Sequence, residues 1–245
     1  MKIERLYAII EADHHIQNPL SPDKLRRVID YLGMADGERV IDVGCGKGSL
    51  LLAMAQTHRI EAVGLESNPV FAATARNTIE FDGLAGKAQI VEGPALDFDV
   101  APGSFDVAAC IGATFALGGL EPSLDWLARA VRPGGRVAVG EPFALGDWTP
   151  DIRRRWPEYD RTVPDIAQAL HRRDLDLTGI VATSIDDWDH YESQHWRAAA
   201  RWLRANPDDP DAAWLAQKIA TDRSDYLTQE RHGFGWAVFI AEKAW

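Results

Sequence analysis

The stretch Val40-Ile41-Asp42-Val43-Gly44-Cys45-Gly46-Lys47-Gly48 constrains this chain more than any other. An apolar run leads straight into glycines at alternate positions, and a helical pattern begins at Ser49. Glycines let a backbone turn sharply and approach a ligand closely. The helix that follows presents free N–H groups and the positive end of its dipole. Residues 38–44 therefore read as a buried strand feeding a ligand-binding turn. Spacing narrows the ligand. A dinucleotide loop, G-x-G-x-x-G, requires its third glycine where this chain has Ser49. The phosphate loop G-x-x-x-x-G-K-[ST] is also absent.

Strand and helix patterns alternate around this turn. Residues 60–66, 88–92, 105–111 and 135–141 read as further strands, and 49–58, 69–81 and 120–131 as helices between them. Such alternation predicts right-handed crossovers and a mainly parallel, doubly wound α/β sheet. Ahead of it, 1–12 and 21–33 read as helices, the second with Ser21 as N-cap and Pro22 at its first position. Behind it, 162–174 reads as a helix, 177–184 as a strand, 186–205 and 211–231 as long helices, and 235–242 as a last strand. A single domain results, with a helical cap (1–33), a ligand-binding core (34–143) and a tryptophan-rich region (144–245) in which a helix pair interrupts a hairpin at the sheet edge.

The formal net charge is −11, which repels phosphate backbones and argues against nucleic acid as a partner. No apolar run is long enough to cross a bilayer, and no signal peptide is visible, so a cytoplasmic protein is expected. Cys45 and Cys110 form no disulfide framework or zinc spacing, and Asp186, Asp187, Asp189, His190 and His195 match no tight metal motif, so no metal is expected.

The loop resembles motif I of class I S-adenosylmethionine (SAM)-dependent methyltransferases, D/E-x-G-x-G-x-G. Glu66, ending the next strand 22 residues after Gly44, supports the likeness, because a carboxylate there can accept from both ribose hydroxyls. The layout is also similar to bacterial methyltransferases of the YjhP type. The segments that carry this are His15-Ile16-Gln17-Asn18-Pro19, Cys110-Ile111-Gly112-Ala113-Thr114, Gly140-Glu141-Pro142, Trp188-Asp189-x-Tyr191-Glu192 and Phe234-Gly235-Trp236. The resemblance implies a Rossmann-like, seven-stranded fold with SAM as cofactor. It implies Asp42 near the SAM amine, Gly44, Cys45, Gly46 and Gly48 around the methionine and ribose, Glu66 on the ribose and Ser67 beside the adenine. Ile111 and Gly112 fall near the methionine. Many relatives have Gly-Asp-Ala after strand three, where this chain has Gly93-Pro94-Ala95. Pro94 offers neither an acceptor side chain nor an N–H. Adenine contacts are then expected from the Ala95 backbone, Leu96 or Asp97.

Methyl transfer needs position and desolvation more than acid–base help. The catalytic candidates are Glu141 at the end of strand five, His14 near the N-terminus and Tyr191 on the late helix. The stripe Trp188, Tyr191, His195, Trp202 fits core packing at least as well as a substrate box. Arg231 and the basic runs 153–155 and 172–173 read as surface, with an anionic substrate as the other reading. The expected activity is methyl transfer to a small molecule, by a monomer or homodimer. Other SAM chemistry (cyclisation, aminocarboxypropyl transfer) or a non-catalytic SAM-binding protein would carry the same loop. A base-modifying methyltransferase would show [NDS]-P-P-[YF] where this chain has Ile111-Gly112-Ala113-Thr114.

Overall fold

The sheet order is β3-β2-β1-β4-β5-β7-β6, with β1 to β5 parallel and β7 antiparallel to both of its neighbours. In the computed structural model, which describes residues 1–84, 86–146 and 148–245, these strands are β1 (Arg39–Val43), β2 (Glu61–Glu66), β3 (Ala88–Glu92), β4 (Phe105–Ile111), β5 (Val131–Ala144), β6 (Leu175–Ala182) and β7 (Phe234–Lys243). The order reverses between β1 and β4. Crevices at such a switch point, above the carboxyl ends of the strands, are where ligands bind in doubly wound sheets.

Period-two alternation decides which side chain meets which layer. On β1, Val40 packs with α2 (Pro22–Leu32), α3 (Ser49–Thr57) and α4 (Pro69–Phe81). Its neighbour Ile41 packs on the opposite face with α5 (Leu120–Ala130) and α7 (Val163–His171). Both faces are covered, which is why these strands read as continuous apolar runs rather than alternating ones. The helix signals act as expected locally. Ser21 Oγ accepts from Lys24 N at 3.3 Å, and Gly33 closes α2 with φ 55°.

A third layer lies outside the sandwich. The first helix, α1 (Ile3–Ile10), packs Leu6, Ile9 and Ile10 against Ala199 of α8 (Ile185–Ala205) and against Leu215 and Ile219 of α9 (Ala212–Asp225). A π-helical segment, Tyr226–Glu230, continues α9 toward β7. The chain's two ends thus build one bundle over the sheet's carboxyl edge. Short helix α6 (Pro150–Arg155) and an aromatic group of Trp148, Trp156, Tyr159 and Phe234 flank it. Among the described residues, no helix is long and apolar enough to cross a membrane.

Candidate active site

The β1–α3 turn is tied to its surroundings through its own backbone N–H groups. Gly44 N and Cys45 N both donate to Leu65 O, at 2.8 and 3.0 Å, so the turn is tied to the end of β2. Gly44 has φ 68° and Gly46 φ 55°, the left-handed region that favours glycine. A Cβ on Gly44 would run into the Ala113 methyl after β4, and one on Gly46 would meet the Gln17 amide. Gly44→Ala therefore combines backbone strain with overpacking. It should cost about 2–4 kcal/mol of stability and remove cofactor binding, read by thermal denaturation and by titration with S-adenosylhomocysteine.

Two buried carboxylates face the crevice that this turn borders. Glu66, at the end of β2, accepts from Gly46 N at 2.9 Å and Asn68 N at 2.7 Å, one bond on each oxygen. Burial pushes its carboxyl above the ordinary range, against the pull of those N–H groups. Asp42, at the end of β1, is 4% exposed, and no hydrogen-bond donor among the described residues reaches its side chain. Burial, with Glu66 nearby, raises its pKa to about 8. An unbonded carboxylate at this depth is costly unless a ligand supplies the donor.

The bundle closes the crevice from outside. Lys47 Nζ, in the glycine turn, donates to the carbonyls of Glu11, Ala12 and His14 at 2.6, 3.3 and 2.9 Å. Gln17 Oε1 accepts from Lys47 N at 2.6 Å, and Ser49 Oγ donates to His15 O. Asn68 Nδ2 donates to Glu4 O at 3.1 Å. Residues 11–18 are thereby strapped onto the turn. From α8, the Tyr191 hydroxyl donates to Glu11 Oε1 at 3.1 Å. The cavity beneath the bundle measures about 300 Å³. Asp42, Gly44, Cys45, Gly46 and Glu66 line its floor; Ser67, Ala95, Ile111 and Gly112 line its sides; Tyr7, Glu11 and Tyr191 line its roof.

Residues 40–135 match the Methyltransferase domain family. YjhP of Escherichia coli (strain K12) is 32% identical over 98% of each chain. The X-ray structure of YjhP from E. coli has a TM-score of 0.90, covering 98% of this chain and all of that one. SAM-dependent methyltransferases from Geobacter sulfurreducens and Thiobacillus denitrificans, both crystallised with S-adenosyl-L-homocysteine, each reach a TM-score of 0.89. They are 33% and 31% identical, covering 97% and 98% of this chain and 97% and 99% of theirs. The chain belongs to the class I SAM-dependent methyltransferases.

Three expected site residues of this methyltransferase stand off the cavity. Gly48 caps α3 with φ 82°, packed toward Ala75, and sets the helix start rather than the wall. The catalytic candidates Glu141 and His14 are not among the residues that border the cavity. Glu141 is buried behind the β4 loop, where Thr114 Oγ1 donates to it at 2.6 Å, and burial raises its pKa to about 7. His14 lies behind Tyr191, with Nε2 3.0 Å from Tyr191 O and its ring 4.4 Å from that of His195. Burial and His195 lower its pKa to about 4. Burial opposes a charge on His195 too, yet Glu11 and Glu192 hold it up at about 9.

Glu141 gives a stability test. Its carboxyl ionises near pH 4.3 when unfolded and at about 7 when folded, so the folded state loses stability as pH rises between these values. Glu141→Gln keeps an acceptor for Thr114. It should match wild type at pH 4, exceed it by roughly 1–3 kcal/mol at pH 8, and bind S-adenosylhomocysteine within about twofold of wild type. Equal stability of the two proteins at pH 8 would contradict the buried-acid account.

The residues expected beside an adenine separate here. Ala95 and Gly93 line the cavity, whereas Leu96 is 68% exposed and Asp97 is not on the wall. Arg231 is spent on Asp189, with two bonds at 2.8 and 2.9 Å. Arg153 holds Asp160, Arg155 holds Asp225, and Arg173 holds Glu121 and Asp125. The residues that sequence reasoning missed are Glu11, Gln17 and Lys47. Gln17 lay inside the quoted segment 15–19 and Lys47 inside the glycine motif, but Glu11 carried no local signal.

Proposed function

We propose that this enzyme methylates a small-molecule acceptor held under the bundle, between the roof residues and the glycine turn. The observation that carries the reading is the strap. The outer wall is built from α8 and from the segment after α1, which is bonded to the glycine turn itself, and this roofs a cavity of small-molecule size. Glu66 would take the ribose hydroxyls on the two acceptor positions that its backbone bonds leave free. Asp42 would take the cofactor's amine, with Gly44, Cys45 and Gly46 against the methionine and ribose and Ile111 and Gly112 closing that end. Ser67 and the Ala95 backbone would flank the adenine. When bound, SAM supplies an electrophilic methyl group and leaves as S-adenosylhomocysteine. The protein's share is to orient the acceptor in line with that methyl and to keep water out. Tyr191 faces the acceptor, whereas Glu141 and His14 support the walls.

The test is incubation of the purified protein with methyl-labelled SAM and a metabolite extract, followed by mass spectrometry. A labelled low-molecular-weight product with stoichiometric S-adenosylhomocysteine is the expected result. Methylthioadenosine as the by-product, or label confined to macromolecules, would overturn the reading.

A further inference from the structure

The charges on the cavity wall are uneven. Among the described residues, the acids Glu4, Glu11, Asp42 and Glu66 line it against one basic residue, Lys47. That ammonium already donates to three carbonyls and has no hydrogen left for an anionic ligand. Asp42 and Glu66 are accounted for by the cofactor, and Glu4 is exposed to solvent. Glu11 remains. It follows α1, is only 5% exposed, and presents its carboxylate at the roof.

Two neighbours fix that carboxylate. Tyr191 donates its hydroxyl to Oε1 at 3.1 Å, and Gln17 Nε2 donates to Oε2. A carboxylate has about four acceptor positions, so room remains for a ligand donor. His195, held protonated by Glu11 and Glu192, stands 3.7 Å from Glu11 Oε1 and 3.5 Å from Glu192 Oε2, so its one positive charge is shared between two carboxylates and the group stays net negative. The rings of Tyr7 and Tyr191 line the same stretch. A buried carboxylate beside aromatic rings, with no cation free of partners among the described residues of the wall, is suited to an organic cation and repels a carboxylate or phosphate.

We infer that Glu11, aligned by Tyr191 and Gln17, recognises the methyl acceptor, and that the acceptor is an amine that enters as its ammonium ion. The inference rests on the acceptor lying under the bundle as proposed above. One N–H bond of the ammonium breaks and its proton moves to a Glu11 oxygen. The bonding pair stays on nitrogen as the lone pair that accepts the methyl group, and the proton leaves to solvent after the product. Glu11 is thus the group that sets acceptor class, and Tyr191 positions it.

Sinefungin tests this without knowledge of the acceptor, because it carries C–NH3⁺ where SAM carries S⁺–CH3. Calorimetric titration would compare sinefungin with S-adenosylhomocysteine on wild type, Glu11→Gln and Tyr191→Phe. The readout is the ratio of the two affinities, in which any general weakening of the cap cancels. Wild type should prefer sinefungin on the order of tenfold, the worth of one charge-assisted hydrogen bond. Glu11→Gln should erase the preference, and Tyr191→Phe should reduce it about threefold. A preference equal in wild type and Glu11→Gln would overturn the inference, as would labelled phenols in place of amines from a mixed acceptor panel. Failure of wild type to bind S-adenosylhomocysteine would instead sink the cofactor assignment.

Discussion

Replacing Glu66 with alanine should weaken S-adenosylhomocysteine binding by about 100-fold to 1,000-fold, or roughly 3–4 kcal/mol. The side chain acts twice. It accepts from Gly46 N and Asn68 N, fixing the glycine turn and the start of α4, and it points its remaining acceptor positions into the cavity. Alanine leaves two buried backbone donors unpaired and removes the acceptor proposed for the ribose, so the losses compound. Glu66→Gln should fall between, since its amide can accept on one side only and turns a donor toward one of the two N–H groups. Calorimetry measures the affinity, and a melting curve without ligand separates turn disorder from lost contacts. An affinity within about fivefold of wild type would place the ribose elsewhere.

The proposed cofactor half of this site was readable from the chain because its signals are local. Three glycines, the acid before them and the acid ending the next strand lie on consecutive elements, and the parallel register fixes where they meet. The proposed acceptor half was not readable in the same way. Glu11 and Tyr191 meet across 180 positions, and nothing in the stretch around Glu11 announces a ligand group. His14 and Glu141 show the converse. Each is a suggestive residue type near a strand end or cap, yet packing turned each away from the cavity.

The fold divides along similar lines. Residues 69–81 and 105–111 are bounded as their patterns predict. The fifth strand runs from Val131 to Ala144, well beyond the apolar 135–141. Val131 pairs with Phe105, and Ala144 pairs with Phe234 across the antiparallel partner. Tertiary pairing extended it past its own propensity. Helix α6 lacked an apolar period and buries none of its residues. Its Thr149 cap and Pro150 were the available cues.

Cofactor affinity should also depend steeply on pH, through Asp42. Without a ligand, this carboxyl stays protonated up to about pH 8, first because it is buried and second because Glu66 is near. A cofactor ammonium beside it favours the ionised form, so binding below pH 8 must expel a proton. Apparent affinity for S-adenosylhomocysteine should therefore rise with pH, about tenfold per unit from pH 6 to 8, and level off above. The other titratable groups facing Asp42 do not reverse this. The Cys45 and Cys110 thiols are held protonated by burial, and Glu66, also raised, titrates in the same direction. Asp42→Asn should flatten the profile and bind about tenfold to a hundredfold more weakly at pH 8.5. Titration in buffers of different ionisation heat counts the released proton directly, and release near one per cofactor at pH 7 is expected for wild type. An unchanged slope in Asp42→Asn would move the titration to another group and leave the buried acid as a support for the turn.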